Sequence, residues 1–274
     1  MPFARASHGG RPSAAPGGRD ALRAAGKAGF AARGVVYVLV GLLAVGIAVG
    51  READQADRQG ALREIAARPF GTVLLWLLVA GFACMTLWRA STAVRGEAGE
   101  KKTGKRLLNA GRAVFYATVC WGTAAFALGS GKQSSSDSNS KDWTATALGL
   151  TGGRFLVGAA GAVLIGVGTG IAVRAVQRKF LRKLRTGEMG RRTRRAVTAS
   201  GIAGNTARGT VFAAAGVFLV VAAVRFDPDR AKGVDDTLRS FASTPAGPWL
   251  LIAVALGLLL FGVFSLACAR WRRT

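Results

Sequence analysis

The sequence predicts an all-α polytopic membrane protein, with six transmembrane helices in three parallel two-helix repeats and short outer amphipathic helices between them. Three observations predict it. Half of the 274 residues are apolar, and they fall in uncharged blocks over 34–50, 69–88, 113–129, 155–173, 209–224 and 240–269. Each block is near the roughly 17 to 25 residues that cross a bilayer as a helix. A run such as Val73-Leu74-Leu75-Trp76-Leu77-Leu78-Val79 lacks the polar face that a soluble helix needs. Second, one stretch recurs at the start of alternate blocks: Ala32-Arg33-Gly34-Val35-Val36-Tyr37, Gly111-Arg112-Ala113-Val114-Phe115-Tyr116 and Ala207-Arg208-Gly209-Thr210-Val211-Phe212. Third, the segments on one side of the six blocks carry 27 Lys or Arg and 4 acids, a net of +23, whereas those on the other carry 11 and 10, a net of +1. That positive-inside bias puts both termini in the cytoplasm.

Taken in order, residues 1–24 read as a disordered cytoplasmic tail rich in Gly, Pro, Ala and Arg, with no cleavable signal peptide. Repeat 1 covers 25–95, with spans at about 29–50 and 69–89. Between them Leu62, Ile65 and Ala66 fall at helical spacing, so a short amphipathic helix is expected on the outer surface. Repeat 2 covers 104–178, with spans at about 107–129 and 153–175. Its outer loop contains Gly131 to Ser140, a low-complexity polar stretch expected to be mobile, followed by Trp143 as an interfacial anchor and by Gly152-Gly153 at the opening of the next span. That span holds Gly158, Gly161, Gly166, Gly168 and Gly170, and the i,i+4 pair Gly166 and Gly170 suggests close packing inside the bundle. Repeat 3 covers 200–273, with spans at about 204–224 and 246–269. Leu62, Arg63, Ala66, Pro69 and Gly71 return as Leu238, Arg239, Ala242, Pro245 and Gly247, each displaced by 176 positions.

With its three Arg-Gly/Ala-x-x-aromatic starts and its Pro69-Phe70-Gly71 and Pro245-Ala246-Gly247 junctions, the chain resembles the bacterial membrane family called domain of unknown function 1206. The resemblance covers roughly 25–271 and rests on the triple repeat rather than on any single motif. It implies six spans in three two-helix units, and it brings no substrate, cofactor or catalytic residue. Repeat 2 departs most from the pattern, with Thr151-Gly152-Gly153 where the other copies have a proline and with a longer serine-rich loop.

Arg33, Arg112 and Arg208 are the sharpest site candidates, with Tyr37, Tyr116 and Phe212 one turn beyond them. Each arginine is the only charge in a long uncharged stretch, a costly placement unless it snorkels or finds a partner. Arranged about a pseudo-three-fold axis, the three guanidiniums would converge on one anionic headgroup or phosphate-bearing ligand. A basic loop over 174–195 sets ten Lys or Arg against the single acid Glu188. Attraction to anionic lipid, with a protein partner docking there as a further possibility, accounts for it better than nucleic acid, since Phe180 is its only aromatic.

None of the six blocks contains Asp or Glu, which disfavours proton coupling. Cys84, Cys120 and Cys268 read as buried thiols, and the sole histidine, His8, lies in the tail, so neither a metal centre nor a Ser-His dyad is expected. Asp227-Pro228-Asp229 reads as a solvated turn. The expectation is a non-enzymatic membrane scaffold or interaction protein without cofactor, its cytoplasmic face binding anionic lipids of the bilayer. The alternative is a small-solute channel or carrier along the pseudo-three-fold axis.

Overall fold

The computed structural model describes residues 16–49, 56–95, 103–129, 136–242 and 247–272. They form α1 (Pro16–Ala48), α2 (Arg58–Ala66), α3 (Gly71–Arg95), α4 (Thr103–Ala127), α5 (Ser136–Leu148), α6 (Gly153–Val176), α7 (Arg191–Arg225), α8 (Val234–Ala242) and α9 (Gly247–Trp271). Each repeat is thus a long helix, a short helix and a long helix, and the described residues contain no strand. Among the described residues, stretches of five helices are long and apolar enough to cross a membrane: Ala21–Ala48, Gly71–Val94, Gly153–Val176, Arg191–Arg225 and Trp249–Trp271. The sixth long helix, α4, has 25 residues. Lys105, Arg106, Asn109 and Arg112 dilute the apolar character of its first half.

Local chemistry corrects two expectations. Helix α1 begins at Pro16, inside the segment read as a disordered tail, because proline suits a first helical position and an alanine-rich run follows it; residues 1–15 lie outside the described residues. The polar stretch read as a mobile loop becomes helical from Ser136, with the Thr146 hydroxyl donating to the Asp142 carbonyl. The rest of that stretch, 131–135, lies outside the described residues.

The short helices α2 and α8 are packed into the bundle rather than laid upon it. In α2 the buried face is Gly60, Ala61, Leu62 and Ile65, and Ala66 is exposed. Asp57 caps α2 by accepting from the Gly60 N–H at 2.8 Å. Across the bundle, Asp235 of α8 accepts from the Ala56 N–H at 2.8 Å, tying the outer segments of repeats 1 and 3 together. Burial pushes the Arg58 guanidinium below its ordinary pKa, opposed by the neighbouring Asp57 carboxylate.

In repeats 1 and 2 the glycine that opens the second long helix is fixed by the short helix before it. A Cβ on Gly71 would lie 2.4 Å from the Ile65 carbonyl oxygen, and one on Gly153 1.8 Å from that of Ala147. The residue before it is left-handed in both copies, Phe70 at φ 62° and Gly152 at φ 78°. Repeat 2 therefore has glycine where the backbone asks for it, and repeat 1 holds an exposed phenylalanine there at a conformational cost.

The long helices pack in cyclic order. The first helix of each repeat lies against the second helix of the preceding one: α4 on α3, α7 on α6 and α1 on α9. The small residue after each signature arginine makes this crossing possible. A Cβ on Gly34 would lie 3.1 Å from the Gly262 carbonyl oxygen, and one on Gly209 2.6 Å from that of Gly168; the reciprocal distances are 2.9 and 2.5 Å. Buried Ala113 occupies the equivalent place in repeat 2. One heptad along, Gly161 and Gly216 repeat the contact, each Cβ position within 2.9 Å of the other's carbonyl oxygen. The working pairs on α6 are therefore Gly161 and Gly168, seven apart. Gly166 and Gly170, singled out by their spacing, face open space, and only one stripe of α6 is buried.

Within a repeat a second pair of glycines brings the two long helices together. In repeat 1 a Cβ on Gly29 would lie 2.5 Å from the Met85 Cβ, and one on Gly81 2.6 Å from the Ala32 Cβ. In repeat 3 the corresponding Gly204 and Gly257 stand 2.5 Å from the Phe261 backbone and 2.3 Å from the Ala207 Cβ. Repeat 2 has Leu108 and Val163 at these positions, 49% and 65% exposed, and α4 and α6 share no packed interface among the described residues. Helix α5 follows the same division: it packs with α6, α7 and α8, whereas α2 touches both α1 and α3 and α8 touches both α7 and α9. The six long helices thus form a ring that is open between α4 and α6.

The crossing geometry separates the two kinds of glycine on α6. Gly168→Leu must push against the Gly209 carbonyl and the Ala213 backbone, so it should cost about 1–3 kcal/mol. Gly170→Leu, with open space before it, should be neutral or mildly stabilising. Thermal unfolding of both variants in detergent micelles checks the contrast.

Candidate anion site

The three signature starts bring guanidinium groups to one region of the ring. Arg208 reaches its own one-turn neighbour, with Cζ 4.9 Å from the Phe212 ring centroid, and also the next repeat, 5.8 Å from that of Tyr37. Arg33 reaches the repeat after that: its Nη1 donates to the Tyr116 hydroxyl at 3.5 Å. The arginine of one repeat therefore meets the signature aromatic of the next, from repeat 3 to 1 and from 1 to 2. Both guanidiniums lie close to one ring, each with Cζ 5.0 Å from the Phe261 centroid.

From Arg33 the cluster extends toward the basic end of the bundle. Arg33 lies 4.8 Å from the Phe30 centroid, and Arg272 lies 4.6 Å from the same ring and 5.3 Å from that of Trp88. Arg89 lies 4.5 Å from the Trp88 centroid. Arg112 and Arg272, with Arg33, stand within electrostatic range of Arg89 and repel it. Four guanidiniums, those of Arg33, Arg89, Arg208 and Arg272, thus interleave with aromatic rings in a cation–π assembly.

Neutral groups supply the hydrogen bonds at its centre. Arg33 Nε donates to the buried Ser265 hydroxyl at 3.1 Å, and Arg89 Nη1 to the buried Asn109 side-chain oxygen at 3.3 Å. Among the described residues no carboxylate lies within ion-pair distance of Arg33, Arg89 or Arg208. The described carboxylates with ion pairs belong to α2, α8, the turn at Asp227 and the loop at Glu188. Arg89 is only 6% exposed, and its Nε and that of Arg208 are buried without a hydrogen-bond acceptor. Cation–π contacts attract a guanidinium but do not cancel its charge.

All six residues singled out from the sequence lie on the helices that build this region, and five are joined by direct contacts. The sixth, Arg112, joins through its proximity to Arg89. Sequence reasoning missed Arg89, Arg272, Asn109 and Ser265. The repeat alignment held a signal for two of them: Arg89 and Ser265 occupy equivalent positions of repeats 1 and 3, in otherwise apolar helices.

A second basic feature adjoins the cluster. The loop after α6 is folded into two short 3₁₀ turns, Lys179–Lys183 and Thr186–Glu188. Buried Leu184 anchors it in a bridge with Arg272, the Arg185 N–H donates to the Trp271 carbonyl at 2.9 Å, and Phe180 packs edge-on against Phe264. Apolar anchors hold the loop down, so Lys179, Arg182, Lys183 and Arg185 stay exposed.

A triplicated helical unit whose helices are long and apolar enough to cross a bilayer, with arginines gathered at one end, defines a class of multi-pass membrane protein. The chain belongs to the family described as Domain of Unknown Function (DUF1206), which it matches over residues 28–96, 109–178 and 203–272. It is also similar to a Bacillus subtilis (strain 168) protein called "Uncharacterized protein YxxB", with 30% identity over 245 residues that cover 88% of each chain. No solved structure matches it.

Ser265 is the group through which the hydrogen bonding of Arg33 can be tested. Ser265→Ala removes the acceptor from a charged donor and should cost about 1.5–3 kcal/mol. Ser265→Thr, which keeps the hydroxyl, should recover part of that loss in thermal unfolding.

Proposed function

We propose that this is a non-enzymatic scaffold or interaction protein of the bacterial cytoplasmic membrane, binding anionic lipid through its cytoplasmic face. Helix α4 completes six spans, its basic first turns lying in the headgroup region, and the three repeats run parallel with both termini in the cytoplasm. The observation that carries this reading is the charge partition, +23 on one side against +1 on the other, together with a basic loop held exposed by its apolar anchors. Each Lys or Arg near an anionic leaflet contributes about 1 kcal/mol of attraction. A protein partner that reads the same loop fits the scaffold role.

The six tryptophans provide the test. In bilayers containing brominated phosphatidylglycerol or brominated phosphatidylcholine, tryptophan quenching should report a several-fold preference for the anionic lipid that weakens as salt is raised. Changing Lys179, Arg182, Lys183 and Arg185 to glutamine should reduce that preference. Equal quenching by both lipids at low salt would contradict the reading.

A further inference from the structure

The open side of the ring and the arginine cluster belong together. We propose that a single phospholipid with an anionic, phosphate-bearing headgroup binds within the ring, its phosphate among Arg33, Arg89 and Arg208 and its acyl chains leaving through the opening between α4 and α6. This rests on the reading of the chain as a membrane protein that binds anionic lipid. It goes beyond that reading by replacing a diffuse surface attraction with one built site and a route into it.

Several observations converge on it. Arg33, Arg89 and Arg208 have no carboxylate partner among the described residues, and buried Nε donors of Arg89 and Arg208 lack an acceptor. Phosphate oxygens supply both the charge and the acceptors, in the forked geometry that guanidinium favours. Helix α4 forms one edge of the opening and carries Arg112 and Tyr116; α7, which carries Arg208, packs on α6 at the other edge. Both edges are apolar where the other repeats close with glycine, at Leu108 and Val163. A free phosphate ion would satisfy the guanidiniums and leave these side chains bare, whereas a lipid covers both.

The test uses the intact chain in nanodiscs that contain phosphatidylglycerol with a diazirine in one acyl chain. Photolabelling of the peptides around Leu108 and Val163 should saturate at one lipid per chain, while labelling of the outward faces of α3 and α9 rises without saturation. Arg89→Gln combined with Arg208→Gln should reduce the saturable labelling at least tenfold and leave the tryptophan-quenching preference of the basic loop in place. Arg89→Lys with Arg208→Lys, which keeps the charge, should retain a measurable part of it and show that the bundle still folds. Saturable labelling that millimolar inorganic phosphate abolishes would overturn the assignment to a lipid and make a soluble phosphate the ligand. Uniform, non-saturating labelling along all helices would overturn the site itself while an intact quenching preference left the surface reading standing. Loss of the preference for anionic lipid in the wild type would remove both.

Discussion

Close approach of helices beside a buried positive charge is the constraint on which the bundle depends. Each signature couples an arginine to a small residue, and the small residue is where the preceding repeat crosses. The crossing fixes the arginine's position to within a turn, so the charge cannot move outward without undoing the contact next to it. In repeats 1 and 3 the Gly34–Gly262 and Gly209–Gly168 contacts hold Arg33 and Arg208 close to Phe261. Aromatic rings and neutral hydroxyl or amide oxygens then make such burial tolerable, leaving a field that favours anions.

The same small-residue logic explains how repeat 2 differs. A glycine pair lets the two long helices of repeats 1 and 3 touch, and the corresponding Leu108 and Val163 keep α4 and α6 apart. Duplicated units need not remain equivalent: where repeats 1 and 3 hold paired glycines, repeat 2 holds two branched side chains and its long helices do not pack together. Repeat 2 is then divided in the fold, with α4 held by repeat 1 and α5 with α6 held by repeat 3.

Much of this was legible in the sequence. The repeat, its boundaries near Arg33, Arg112 and Arg208, the short intervening helices and the charge partition all follow from local pattern, because each depends on residues close in the chain. What escaped depends on neighbours across the ring. Arg89 reads as the charge that ends a span until α4 supplies Asn109 and the residue after α9 supplies Arg272. Gly166 and Gly170 have the favoured spacing but sit on the wrong side of α6, because the crossing with α7 follows a heptad. The serine-rich stretch looks incapable of structure, yet its second half begins α5, where helix formation is set by packing against α6 and α8 rather than by composition.

The most direct measurement is a set of three spin-label distances in a cysteine-free background, at equivalent exposed positions of the repeats: Val35 with Leu87, Val114 with Thr169, and Thr210 with Val263. A ring open only in repeat 2 predicts that the first and third distances agree and that the Val114 to Thr169 distance is distinctly longer. Three equal distances would mean a closed, evenly packed ring, and would contradict both the opening and the lateral route to the arginines.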